Sequence, residues 1–325
     1  MYDIITLGSA TVDVYANTDA EIIDIRTKNS FQELLAYPMG SKILINKLDF
    51  FIGGGGTNTA VSFSRLGLKT AYLGKIGKDE TGTRITNLLK KEKIPYLGTY
   101  GKLSGFSVIL DSFVEDRTIL TFKGASNELT WNEVNKNKLR TKWIYSSSLQ
   151  EKSYQTLKKV VAFAKKKKIK IAFNPSSYQC KEKKIITDIL RHLEVLVLNK
   201  EEASLLVGND SVKELTKKLH IFGPKIICVT DGSKGAGCLY KNTFYFIKPK
   251  PKRKIVETTG AGDAFASGLV SGLVYNKPIE FCLKLAIQNA ESVVTHHGAK
   301  NKLLSKREAW KRIKADKRKI SKEKI

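Results

Sequence analysis

The sequence predicts an α/β fold, one domain built on a mostly parallel sheet covered by helices, with a small second β layer over one edge. Three observations predict it. Short apolar, β-branched runs alternate with longer amphipathic stretches along most of the chain. Two segments break that rhythm with the period-two alternation of a hairpin, and glycine clusters stand where strand-like runs give way to helical patterns.

In chain order, DIITLG (3–8) is the first run, and TNTAVSFSRLG (57–67) the first helical pattern. TAYLGKIG (70–77) precedes ETGTRITNLLKKEK (80–93), WIYSSS (143–148) precedes SYQTLKKVVAFAKKK (153–167), and KIAFNPS (170–176) precedes KKIITDILRHL (183–193). EVLVLN (194–199) then leads into KEEASLLVG (200–208), and IICVTDG (226–232) precedes a long helical pattern starting at Ala261. Strand–helix alternation of this kind is the pattern of crossover units, in which helices cover a parallel sheet. The exceptions are residues 14–52, which end in SKILINKLDFFIGG, and residues 100–122, YGKLSGFSVILDSFVEDRTILTF. They predict strands outside the main sheet, forming a lid. The domain is expected to span residues 1–300, and residues 301–325 to form a basic helical tail.

With 325 residues, 42% of them hydrophobic, the chain can bury a large core. Its net charge of +26 favours polyanions and small phosphorylated ligands. The lysines are scattered over predicted helix faces, and only Trp310 interleaves with those of the tail, which argues against a nucleic-acid platform. No apolar run is long enough to span a bilayer and the first residues lack signal-peptide character, so the expectation is a cytoplasmic protein without a membrane partner. Cys180, Cys228, Cys238 and Cys282 are widely spaced, with no C-x-x-C, and read as buried thiols. The four histidines offer no metal-binding spacing.

Three glycine clusters follow predicted strands. In FFIGGGGTNTA, Gly53–Gly56 permit close backbone approach and Asn58 brings an amide to a helix start, although a tight strand-to-helix turn explains the glycines equally well. VTDGSKGAG (229–237) is either a ligand loop or a plain turn between strands. ETTGAGDAFASG (257–268) is more specific. Gly260, Ala261 and Gly262 precede an apolar helix, so their N–H groups make an anion site, and Asp263 beside them suits a base that takes a proton from a hydroxyl attacking phosphorus. In LNKEEA (198–203), Asn199 and Glu202 are three residues apart and suit a hydrated magnesium ion; helix capping by Asn199 is the rival reading.

Together these motifs resemble the ribokinase-like, or PfkB, carbohydrate kinase family over nearly the whole chain. GGGGTNTA resembles its N-terminal signature and TTGAGDAFASG its C-terminal one. The resemblance implies a three-layer α/β/α sandwich with a small β lid and a homodimer formed through that lid. It also implies ATP as phosphoryl donor, Mg2+ as cofactor, and a sugar, polyol or nucleoside as acceptor. It makes Asp263 the catalytic base and Gly260–Gly262 the anion hole. GSATVD places Asp13 at the acceptor hydroxyls together with Gly54, Gly55 and Asn58. Thr230, Gly232, Gly235, Asn199 and, beside adenine, Asn289 fall to the nucleotide, and Glu202 to magnesium. Glu257 stands where many relatives have aspartate, which leaves a monovalent-cation site open. For a nucleoside acceptor, Phe31, Tyr37, Phe50, Phe106 and Phe113 are the candidates to stack its base; the other reading makes them lid core.

Overall fold

The computed structural model describes residues 1–18, 21–27, 31–111, 117–250 and 255–325. Its strands are β1 Tyr2–Leu7, β2 Thr11–Thr18, β3 Glu21–Arg26, β4 Phe31–Ala36, β5 Ile45–Gly53, β6 Thr70–Leu73, β7 Lys75–Gly77, β8 Thr99–Gly101, β9 Gly105–Asp111 and β10 Arg117–Phe122. They continue with β11 Thr141–Ser146, β12 Lys170–Phe173, β13 Val195–Asn199, β14 Ile226–Thr230, β15 Ala236–Tyr240, β16 Thr243–Ile247 and β17 Ser321–Lys324. The helices are α1 Gly55–Arg65, α2 Glu80–Lys91, α3 Glu151–Lys166, α4 Ser177–Lys181, α5 Lys183–Leu190, α6 Lys200–Val207, α7 Val212–His220, α8 Ala261–Val274, α9 Ile279–Val293 and α10 Lys306–Lys314.

The main sheet runs β17-β16-β15-β14-β13-β12-β11-β1-β6. From β14 to β6 every pairing is parallel, and β15, β16 and β17 add an antiparallel edge. Parallel strands are buried on both faces, which is why their sequences read as unbroken apolar runs. Ile5, Leu196 and Ile227 pack on the side of α3, α6 and α7, while Ile4, Val197 and Cys228 pack on the side of α1, α8 and α9. The result is a three-layer α/β/α sandwich. All four cysteines are free and buried within it. Among the described residues no helix is long and apolar enough to cross a membrane.

A second sheet, β10-β9-β2-β5, comes from the two segments that break the sequence rhythm. Pairing Asp13 with Phe51 and with Ser107 puts these three side chains on one face. The opposite face carries Val12, Val14, Leu48, Phe50, Phe106, Leu120 and Phe122. Its margins are exposed, with Phe50 at 51%, Leu120 at 56% and Phe122 at 55%. Phe50 and Phe106 therefore point away from Asp13, and Tyr37 hydrogen-bonds Thr18, so none of the three stands ready to stack a base beside it. Phe113 lies outside the described residues.

The C-terminal segment differs from a solvated helical tail. It is helical only over Lys306–Lys314, and Ser321–Lys324 pairs antiparallel with β16 as the last strand of the main sheet. Leu303, Leu304 and Ala309 are buried, and Trp310 packs edge-on against Tyr275 and Phe281. The open edge of β16 and the apolar face of α9 supply the physical reason: both need covering, and the tail covers both.

Candidate active site

Helices α1 and α8 start side by side, each at a positive-φ backbone that favours glycine over any residue with a side-chain carbon: Gly54 at φ 87° and Gly260 at φ 80°. A side-chain carbon on Gly54 would come within 2.5 Å of the Ser9 carbonyl oxygen, so close packing also requires glycine there. Neither start has a side-chain cap; at α1 the Gly56 and Thr57 N–H groups are instead bonded to the Ser9 carbonyl, at 3.0 and 3.4 Å. At α8 the Ala261 N–H is bonded to the Thr258 carbonyl at 3.1 Å. In this state Ala261 is thus committed elsewhere, and exposed Gly262 presents the backbone of the turn. A side-chain carbon on Gly262 would meet no atom within 4 Å, so protein packing does not explain this glycine.

Asp263, one residue further, turns into the protein. Asn58 Nδ2 donates to its Oδ2 at 2.8 Å. Burial pushes its carboxyl up to about 6, while the Asn58 hydrogen bond and the nearby Lys300 charge pull the other way. Lys300 was not among the residues expected here. It is 8% exposed, its Nζ donates to Asn58 Oδ1 and to the Ile52 carbonyl, and burial brings its amine down to about 7 despite the charges of Asp13 and Asp263. Its signal in the sequence is weak, one lysine among 57 basic residues, preceded by Gly298 at φ 85°, where the chain packs against the Phe51 ring.

On the lid side, Asp13 accepts from Thr11 Oγ1 at 2.9 Å and lies within the field of Lys300 and of the partly buried Lys123. Gly53 sits against the Asp13 carboxylate, and Gly55 leaves open a place close to Ser147 and 3.4 Å from Asp263 Oδ1. The Ser147 hydroxyl and the Tyr145 hydroxyl, both at the end of β11, are buried without a hydrogen-bond partner. Orphaned hydroxyls beside Asp263 mark a place where a polar ligand completes the network. Sequence reasoning missed both, because serine and tyrosine at a strand end carry no distinctive spacing.

Beside the start of α8 lies a cavity of about 560 Å3 lined by Thr230, Gly232, Gly235, Ala261 and Gly262. Ile255, Phe265, Ile287 and Val294 form apolar walls, and Lys248, Lys250 and Glu291 supply charge at the rim. The cavity thus gathers three of the five residues expected at the nucleotide. Asn289 is not among them. It is fully buried, donating to Ser62 Oγ and the Ala264 carbonyl and accepting from the Leu304 N–H, and it pins α9 to α1, α8 and the tail. The expectation that it lies beside adenine gives way to that structural role, because no polar atom is left to face a ligand.

Asn199 and Glu202 form a reciprocal capping box at the start of α6, with Asn199 Oδ1 accepting from the Glu202 N–H at 2.7 Å and Glu202 Oε2 from the Asn199 N–H at 3.0 Å. Capping explains the spacing, as the rival reading held. Glu202 is nevertheless more than a cap. Burial pushes its carboxyl up to about 7 against the Asn199 hydrogen bond, with the charges of Glu201 and Asp263 adding to the rise. The charge of Asp263 thus reaches Glu202 and sets a second acidic side chain within the electrostatic range of the candidate base. No group of three or more His, Cys, Asp or Glu that could hold a metal exists among the described residues. Glu257 is differently engaged: Tyr15 donates to one of its oxygens and the Gly298 N–H to the other at 2.8 Å, tying β2 to the loop before Lys300.

The family model for pfkB family carbohydrate kinases matches residues 2–307. A cytidine kinase from Thermococcus kodakarensis is 24% identical over 280 residues, covering 82% of this chain and 94% of that protein. A ribokinase from Lactococcus lactis is 28% identical over 258 residues, covering 76% and 80%. Among solved structures, Arabidopsis thaliana ribokinase complexed with ribose and ATP superposes with a TM-score of 0.81 at 20% identity, over 96% of this chain and 99% of that one. A signature match along nearly the full length, on a fold of the same kind, leads to one assignment: the chain belongs to the pfkB family of carbohydrate kinases.

Proposed function

We propose that the protein moves the γ-phosphoryl group of ATP to a hydroxymethyl oxygen of a small sugar or polyol, with the ribosyl hydroxymethyl of a nucleoside as the alternative acceptor. The observation that carries this reading is the position of Asp263. Its neighbour Gly262 lines the donor cavity, while its carboxylate faces Asn58 and the acceptor side. A carboxylate at that junction takes the acceptor hydroxyl proton as the oxygen bonds to phosphorus and the phosphorus–oxygen bond to ADP breaks. The N–H groups of Gly260 and Gly262, joined by that of Ala261 once it leaves the Thr258 carbonyl, receive the charge that develops on the transferring group. Asp13, Asn58 and the backbone of Gly54 and Gly55 hold the acceptor, and Thr230, Gly232 and Gly235 hold the nucleotide.

Glu202, with Asn199 beside it, would hold magnesium through its waters, and the bound ion would neutralise phosphate charge. The β10-β9-β2-β5 sheet serves as a lid that shuts water out over the acceptor, since water at this site would waste ATP. The exposed margin of its apolar face, at Leu120 and Phe122, is the surface through which two copies would pair; light scattering on Phe122→Asp, expected to be monomeric, tests that.

The acceptor is found by offering sugars, polyols and nucleosides with ATP and magnesium and measuring ADP release. One class is expected to exceed the others by about a hundredfold in kcat/KM, because buried polar contacts reject analogues lacking the matching hydroxyl. Failure of every acceptor to raise ADP release would end the kinase reading.

A further inference from the structure

Asn58 sits between two groups of opposite charge. As the ammonium that Asp13 and Asp263 favour, Lys300 carries only donors, so the oxygen of the amide must face it, and Nδ2 is thereby turned to Asp263 at 2.8 Å. A flipped amide would place N–H groups against an ammonium and an oxygen against a carboxylate. Lys300 is itself held twice: its Nζ reaches the Ile52 carbonyl and its own carbonyl accepts from Arg65 Nη1 at 2.8 Å. The charged groups around it are Asp13 from β2, Asp263 from α8, Arg65 from α1 and Glu92 from the end of α2. Arg65 and Glu92 pair with each other, which leaves Asp13 and Asp263 to answer the lysine.

We propose that Lys300 is a positioning residue for phosphoryl transfer, fixing the Asn58 amide so that one oxygen of Asp263 is pinned and the other is left for the acceptor proton, and setting a chain-borne positive charge beside that base. The proposal rests on the kinase reading above. It assigns Lys300 a role through Asn58 and Asp263 rather than contact with substrate. A lysine placed here only to fill space would need no charge, and methionine would replace it.

The test compares wild type with Lys300→Met and Lys300→Gln, each also made in an Asp263→Asn background, using kcat against pH with the best acceptor from the panel. Lys300→Met is expected to lower kcat about a hundredfold, the usual effect of a misplaced reacting group, with the KM for ATP changed by less than about threefold. Its acidic limb should move up by about one pH unit, because the cation favouring the Asp263 carboxylate is gone. In the Asp263→Asn background the same change should cost less than about threefold, since the two residues act as a unit. Lys300→Gln restores a donor to Asn58 without charge; it should regain part of kcat while its acidic limb stays raised, and it carries both readings if the methionine variant does not fold. An unmoved acidic limb, with equal losses in both backgrounds, would overturn the proposal. Carbon-13 NMR of the Asp263 carboxyl in the free proteins gives a reading independent of turnover. Equal titration in wild type and variant would overturn the proposal even if the kinase reading fell, and a raised titration in the variant would support it.

Discussion

Helices α1 and α8 begin alike and differ in what their first turns are for. Both open at a positive-φ glycine without a side-chain cap, and they pack against each other. In α1 the glycines answer to protein: side-chain carbons on Gly54 and Gly56 would sit within 3 Å of the backbone at Ser9 and Gly8. In α8, Gly262 answers to nothing in the chain. The side chains that follow differ as well, a neutral amide at Asn58 and a carboxylate at Asp263, joined at 2.8 Å. One backbone device, used twice, makes a packed floor in one place and an open cradle in the other.

The sharpest way to break this comparison is to remove its asymmetry at the carboxylate. Asp263→Asn keeps the shape and should lower kcat a hundredfold or more, with ATP binding retained or slightly tighter by calorimetry. The charge being removed is one that folding disfavours. A carboxyl raised to about 6 from its ordinary value near 3.8 costs stability as pH rises between those values, in full above about 6, so the variant should melt no lower than wild type at pH 8. In the wild type, kcat should fall about tenfold per pH unit below about 6, as Asp263 takes up the proton it must otherwise accept from substrate.

Making the two helix starts chemically equal is the next test. Asn58→Asp sets two carboxylates together, and one will hold a proton at neutral pH. A loss of roughly tenfold or more in kcat is expected, with the acidic limb displaced upward by at least about one unit; an unmoved limb would show that Asn58 does not govern Asp263.

The glycines should separate in kind. Gly262→Val has room in the protein, so its melting temperature should stay close to wild type while KM for ATP rises roughly tenfold. Gly54→Ala meets both a left-handed backbone and the Ser9 carbonyl, so it should lose stability by more than about 1 kcal/mol before any kinetic effect is read. Thermal melts paired with ATP titrations check both. The smallest effect concerns the tail. Removing residues 319–325 strips the edge strand and the partly buried Ile320 before it, and should change kcat less than about twofold. Removal of 304–325 also takes buried Leu304 and Ala309 and the partly buried Arg318, the last paired with Glu291 at the cavity rim, and should lower the melting temperature clearly.

What could be read from the chain follows from how local each feature is. Apolar runs and helical periods gave the layers because burial on two faces writes itself into consecutive residues. Asp263 and its glycines were legible because one turn contains the whole device. Lys300, Tyr145 and Ser147 were not, because each acts only through partners far away in sequence. Asn289 was misplaced for a related reason: a polar residue on an apolar helix is as often a buried pin as a ligand contact, and only its three partners decide which. The last strand was missed because a short, lysine-rich segment joins a sheet only where an edge awaits it.

The bond between Asn58 and Asp263 closes a separation of 205 residues, and that between Asn58 and Lys300 one of 242. At the usual pace of about 5–20 residues per second, a ribosome needs roughly 10–40 s to travel from the first of these residues to the base. Throughout that interval the emerging polypeptide has its acceptor-side amide but no means of taking a proton, and Phe63 of α1 lacks Leu269 of α8, with which it shares a core. Prematurely terminated products ending ahead of Ala261 would expose that apolar helix face while holding an incomplete centre, which makes them chaperone clients rather than slow enzymes.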